Sequence, residues 1–151
     1  MLSRKYPTTR SIPVLSSDSS PGIILASANV GQTLQYKTNV FLSADAGISW
    51  HQVLQGNYYC NLGDHGGIIV AVKYYKTEGM TSELIYSTDE GLSWKPIRFY
   101  HKPVTIFGIL TEPGENTTTF TMFGTPTIRG GIDWIIFTVR HCFVLFKSFH
   151  T

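Results

Sequence analysis

Cysteine is scarce: 151 residues hold only Cys60 and Cys142. They stand far apart, with no Cys-x-x-Cys spacing and no histidine at metal spacing, which excludes a disulfide-scaffolded domain and a zinc module. His141 precedes Cys142, but strand neighbours point to opposite faces and share no metal. The two are read as buried free thiols, with a disulfide left open for an oxidising compartment. Long hydrophobic runs are missing too. The longest, such as residues 68–72, are strand-sized, so none is long enough for a membrane-spanning helix. Charge of one sign is also absent: 12 basic and 10 acidic side chains, with no Lys or Arg run, argue against nucleic acid and anionic membrane as partners. Residues 1–10 are polar and basic with no apolar stretch behind them, so no secretory signal is expected. No segment keeps apolar residues at i, i+3, i+4 and i+7 for three turns, and no helix is expected.

What is present is a folded, β-rich composition: 42% hydrophobic and 13% aromatic residues exclude a disordered chain. Residues 1–21, punctuated by Pro7, Pro13 and Pro21, read as an irregular arm. Short apolar or alternating runs follow at close intervals, at 23–28, 39–42, 49–54, 58–62, 68–74, 84–86, 93–99, 104–111, 118–123 and 134–139. That rhythm is all-β.

One pattern, Ser-x-Asp-x-Gly-x-Ser-Trp, occurs twice in the same phase. The first copy is Ser43, Asp45, Gly47, Ser49 and Trp50; the second is Ser87, Asp89, Gly91, Ser93 and Trp94. The match extends outward without a gap, with Gly22 on Gly66, Ile24 on Ile68, Leu25 on Ile69 and Val53 on Ile97. A repeat of this length signals stacked or radial units, each burying its apolar face on a neighbour. One complete unit spans roughly residues 57–100 and holds four strands. The unit before it keeps strands two to four, and the unit after it shows three strands and no box. Four-stranded antiparallel units of this length are propeller blades. The expected fold is a partial β-propeller of about two and a half to three blades, cut from a larger ring.

Each box falls on the hairpin between the third and fourth strands, where its residue types suit a tight turn. Asp accepts from backbone N–H groups two residues on, and Gly supplies a positive φ. The Ser hydroxyls satisfy further loop groups, and Trp covers the turn. A calcium loop would need several more oxygen ligands at fixed spacing, and Ala44 and Ala46 flank Asp45. The boxes therefore read as structural, with no catalytic residue, metal or cofactor expected.

Asp-box propellers include sialidases, some polysaccharide hydrolases and the sortilin-type sorting receptors. Several segments here are specific to the last. They are Tyr58-Tyr59, the run from Gly63 through Asp64, His65, Gly66 and Gly67 to Ile69, and the run from Glu83 to Gly91. Lys37 to Val40, Lys102-Pro103-Val104, Leu110 to Glu115 and Phe120 to Gly124 continue the series. Over residues 22 to about 140 the chain resembles the late propeller blades of the sortilin-type sorting receptors, with residues 141–151 a divergent tail. The resemblance implies a ten-bladed ring followed by a cysteine-rich module, in single-pass membrane proteins of the Golgi, endosomes and cell surface. It implies protein and peptide cargo bound in the central tunnel, with this chain a fragment lacking the other blades. Asn61 stands where the relatives would have Trp.

The alternative is a fragment of an Asp-box glycosidase such as a sialidase. That chemistry needs an Arg cluster, and Arg4, Arg10, Arg98, Arg129 and Arg140 are scattered. A two-carboxylate mechanism needs two acids at a set separation, for which Asp64, Glu112 and Asp133 are candidates in name only. Gly63 to Gly67 reads as a turn, since a phosphate cradle would need a following helix. His51, His65 and His101 are candidates for acid-triggered release of cargo. Asn116-Thr117-Thr118 is an N-glycosylation sequon. The outer strands, with the apolar run at 143–146, leave apolar sheet surface uncapped, so the isolated chain is expected to be aggregation-prone or partly unfolded.

Overall fold

A computed structural model of the chain describes residues 14–31, 37–111, 117–126, 133–140 and 143–150. It is all-β, with three four-stranded antiparallel sheets in chain order. The first contains β1 (Leu15–Ser16), β2 (Ile24–Ala28), β3 (Asn39–Ser43) and β4 (His51–Leu54). The second contains β5 (Tyr58–Gly63), β6 (Ile68–Lys73), β7 (Glu83–Ser87) and β8 (Lys95–Arg98), and the third β9 (Thr105–Thr111), β10 (Thr119–Thr125), β11 (Asp133–Arg140) and β12 (Phe143–His150). Each sheet is a sequential meander, and none closes on itself. The chain is a partial β-propeller, and each sheet is a four-stranded blade.

Three details differ from the sequence reading. The third unit has four strands, because β12 pairs with β11 along its whole length, from Asp133↔His150 to Arg140↔Phe143. Residues 143–146, Phe-Val-Leu-Phe, are β-branched, aromatic and aliphatic, and suit a strand better than a tail. The first unit likewise gains β1 from within residues 1–21, with Leu15 opposite Leu25. Both expected boundaries, at 21/22 and 140/141, therefore fall inside sheets. A single helical turn, α1 (Tyr75–Glu78), links β6 to β7. Four residues cannot display a 3.6-residue repeat, so periodicity could not reveal it.

The repeat also slips by one residue. Ile24 pairs with Ser43, while Ile69, not Ile68, pairs with Ser87. Leu25 and Ile69, aligned as equivalents, therefore lie on opposite faces of their sheets, since a one-residue shift turns a side chain over. They meet across the interface between the first two sheets, in a cluster of Leu25, Val40, Leu42, Leu62 and Ile69. Runs of similar aliphatic residues conceal such a slip in the sequence.

The second interface is larger. Val70, Val72, Leu84 and Phe99 pack on Ile106, Ile109, Phe120, Met122, Ile135, Phe137 and Val139 of the third sheet. Fully burying side chains of this size contributes about 1.5–3 kcal/mol each, so the sheets are held by their facing apolar layers. Polar ties supplement them. Thr81 and Val104 exchange backbone hydrogen bonds at 2.9 Å, and Asn61 Nδ2 donates from β5 to the Ile109 carbonyl of β9 at 3.4 Å. The first strands of the second and third sheets thus run side by side.

Candidate functional site: the box turns and the inner strands

The two box turns have the same wiring. Ser43 Oγ donates to Asp45 Oδ1 at 2.8 Å and accepts the Gly47 N–H at 2.8 Å. Asp45 accepts the Ser49 N–H at 2.8 Å on Oδ1 and the Ser49 hydroxyl at 2.6 Å on Oδ2. The second box repeats this with Ser87, Asp89, Gly91 and Ser93 at 2.7, 2.9, 2.9 and 2.5 Å. The carboxylate therefore serves the residue four positions on, and the N–H two positions after the first Ser is met by that Ser. This corrects the expected Asx-turn at two residues. Bonding to the Ser49 hydroxyl, the Ser49 N–H and the Ser43 hydroxyl lowers the Asp45 pKa from 3.8 to about 2. Asp89 is held at about 2 by Ser93 and Ser87 in the same way. Both carboxylates thus have their oxygens committed to the turn.

The backbone is left-handed at two successive positions in each box: Ala46 and Gly47 at φ 59° and 92°, Glu90 and Gly91 at 57° and 80°. Sequence reasoning named only the glycines. These pairs are the central residues of β-turns closed by the Ile48 N–H on Asp45 O at 3.4 Å and the Leu92 N–H on Asp89 O at 3.2 Å.

The tryptophans differ in their surroundings. Trp94 Nε1 donates to Gly91 O at 3.1 Å and also to Val53 O of β4, on the neighbouring sheet, at 3.1 Å. Gly91 lies so close to Val53 that an added Cβ would fall 2.6 Å from its Cγ1. Trp50 Nε1 donates to Gly47 O at 3.0 Å, and its side chain is 44% exposed. The second box is thus a lock between sheets, while the first has the same key on an open face.

A hollow of about 130 Å³ lies near the first strands of the three sheets. Its wall includes Leu15 of β1, Ser27 of β2, Tyr58, Tyr59 and Cys60 of β5, and Gly108 and Ile109 of β9. Burial pushes the Cys60 thiol up to about 12. Tyr59 is held well above the ordinary phenol range, first by burial and then by Tyr74 and Tyr75.

The other candidates do not converge. Residues 63–67 form the turn from β5 to β6, with Asp64 and His65 exposed and left-handed at φ 48° and 53°. Gly66 is buried against Ser20 and Ile23, where a Cβ would fall within 2.9 Å of both. Arg98 ends β8 and Arg140 ends β11, Asp133 opens β11, and His51 and His101 are exposed. No cluster of His, Cys, Asp or Glu fit for a metal occurs among the described residues. No helix among them is long and apolar enough to cross a membrane. Asn116, Glu112, Arg129, Cys142, Arg4 and Arg10 lie outside the described residues.

Comparison with known proteins gives the family. Residues 1–109 match the Sortilin-Vps10 family model, described as sortilin, neurotensin receptor 3. The human sortilin-related receptor is 50% identical over 132 residues, covering 87% of this chain, and the rabbit protein is equally similar. The human VPS10 domain-containing receptor SorCS2 is 37% identical over 118 residues. A vacuolar protein sorting/targeting protein 10 of the fungus Arthroderma benhamiae is 38% identical over 114. The chain spans only 6% of the length of the sortilin-related receptors, 10% of SorCS2 and 8% of the fungal protein. With the family model covering most of its length and the box turns and meander sheets in place, this chain belongs to the Sortilin-Vps10 family of sorting receptors.

Proposed function

We propose that the chain is a lumenal propeller segment that helps bind protein or peptide cargo in a receptor sorting between endosomes and Golgi. The observation that carries this is the wall of first strands. Leu15, Tyr58, Tyr59 and Ile109 line one hollow from three successive sheets, the arrangement by which a ring of sheets presents its inner strands to a central tunnel. The wall is mainly apolar with a few polar groups, which suits an extended peptide. A site built from many blades is only partly supplied by three, so the 151-residue chain alone is expected to bind weakly. The remaining blades and a cysteine-rich module complete the receptor, whose membrane span and passage through Golgi, endosome and cell surface are part of the same reading.

In this reading both boxes serve the fold, no step is catalytic, and nucleic acid is not a partner. Asn116 carries an N-linked glycan in the lumen. The test is peptide capture by a receptor chain spanning the whole array, with and without Ser27→Arg, which fills the hollow beside Leu25 and Val40, with a melting curve of each protein to check that the sheets still pack. Affinity for propeptide-type ligands is expected to fall about tenfold or more. Unchanged affinity would refute cargo binding at this wall.

A further inference from the structure

The linker from the first sheet to the second is pinned from both sides just before β5 begins. Asn57 is 4% exposed, and its backbone and side chain are both fully engaged. Its Oδ1 accepts the Thr38 N–H at 3.1 Å and also the Thr38 hydroxyl, from the residue that precedes β3. Its Nδ2 donates to Thr77 Oγ1 at 2.8 Å and its N–H to Glu78 Oε1 at 3.1 Å, while its carbonyl accepts the Tyr74 N–H at 3.0 Å. The Gly56 N–H goes to Asn39 Oδ1 at 2.9 Å. Gly56 is left-handed at φ 101°, and a Cβ there would fall 2.9 Å from Glu78 Oε1. The linker thus has room for the carboxylate only because this residue is glycine.

The same helical turn reaches the third sheet. Residues two apart on a helix lie about 200° apart around its axis, so Tyr75 and Thr77 of α1 point to different sides. The Tyr75 ring meets Phe107 of β9 edge-on at 5.1 Å, and Tyr74 meets Tyr59 of β5 edge-on at 5.1 Å. Burial raises the Tyr58 phenol above its ordinary value, and the nearby Glu78 charge adds to the shift. One turn of helix therefore braces the linker, β5 and β9 together.

We infer that Asn57, Thr77 and Glu78 are positioning residues for cargo recognition: they fix where the wall tyrosines stand without touching cargo themselves. The inference rests on the cargo reading above. None of the three lines the hollow, whereas Tyr58 and Tyr59, the next two residues after Asn57, both do. The sheets are already joined by their apolar clusters, to which Asn57, Thr77 and Glu78 do not belong. What the network adds is orientation at the start of β5. A buried network with one member unpaired gives up its single arrangement, and a wall only partly populated in its competent form binds in proportion to that population.

The test uses the receptor chain spanning the whole array and a labelled propeptide-type peptide, well below the melting temperature. Thr77→Val keeps the shape and removes the oxygen that Asn57 Nδ2 needs; Thr77→Ser keeps that oxygen. The Val variant is expected to bind about tenfold more weakly and to exchange the Asn57 and Tyr74 amide hydrogens faster, and the Ser variant to match the wild type in both. If Thr77→Val does not fold by circular dichroism, Glu78→Ala against Glu78→Gln poses the same comparison at the Asn57 N–H. A role confined to holding the sheets together would lower the melting temperature and leave affinity unchanged. Unchanged affinity in the Val variant, with Ser27→Arg still weakening capture, overturns the inference and leaves the cargo reading standing. Unchanged affinity in both overturns the two together. Amide exchange that does not respond to Thr77→Val also overturns the inference.

Discussion

Trp50 and Trp94 occupy the same position in the same turn, so replacing each by Phe isolates the one thing that differs. Trp94 donates to Gly91 O within its turn and to Val53 O across the sheet boundary. Phe keeps an aromatic plate and removes the N–H. The single indole N–H is shared between the two carbonyls, and losing it with its tie to the neighbouring sheet costs about 1.5 kcal/mol. Trp50 loses one bond, to a carbonyl that water reaches, and the cost stays within about 0.5 kcal/mol. For a chain of this size that loss corresponds to roughly 3–6 °C in melting temperature for Trp94→Phe, with little change for Trp50→Phe. Urea titration and calorimetry should be run dilute enough to keep the chain monomeric. Equal losses at both positions would refute the reasoning, because the tie to Val53 would then contribute nothing beyond the local turn.

Other consequences can be measured with the same protein. Asp45 and Asp89 have pKa values lowered from 3.8 to about 2, so their stabilisation is full above pH 3.8 and is lost as pH falls through about 2; Asp89→Asn is expected to flatten that acid limb of the stability curve. Gly91→Ala meets both a φ of 80° and the Val53 side chain, whereas Gly79→Ala, at φ 78° with nothing within 4 Å, bears only the backbone cost of roughly 1 kcal/mol. The Gly91 variant should melt clearly lower, and equal melting temperatures would contradict the packing of the box on β4. The Ser20 hydroxyl is buried with no hydrogen-bond partner among the described residues, so Ser20→Ala is expected to leave stability unchanged or raise it by about 1 kcal/mol in the same titration. A fluorogenic sialoside should not be turned over; measurable hydrolysis would revive the glycosidase alternative.

The all-β class, the three units and the box positions were legible because each rests on local pattern. Alternating runs give strands, and the eight-residue box marks the hairpin whose first Ser ends β3 and β7. Ends of units were harder to read. Leu15–Ser16 is two residues long in a Ser- and Pro-rich stretch, and β12 reads as a strand once β11 is there to pair with it. The one-residue slip between β2 and β6 was hidden because Ile24, Leu25, Ile68 and Ile69 are interchangeable as letters, while pairing to Ser43 and Ser87 distinguishes them. The wall of the hollow was not legible at all: Ser27, Tyr58 and Ile109 share no motif and meet only when three sheets pack. The Trp94 bond to Val53 spans 41 positions and has no signature in the box.

The side-chain bonds of each box run over no more than four residues, which bears on the order in which the chain folds. Closing so short a loop costs little entropy, and contacts this local form early, ahead of strand pairings between distant segments. Each hairpin can therefore set its own twist and register before any sheet has met its neighbour. The slow step is then left to the joining of ready-made units, and a new unit duplicated into the array brings its own starting point with it.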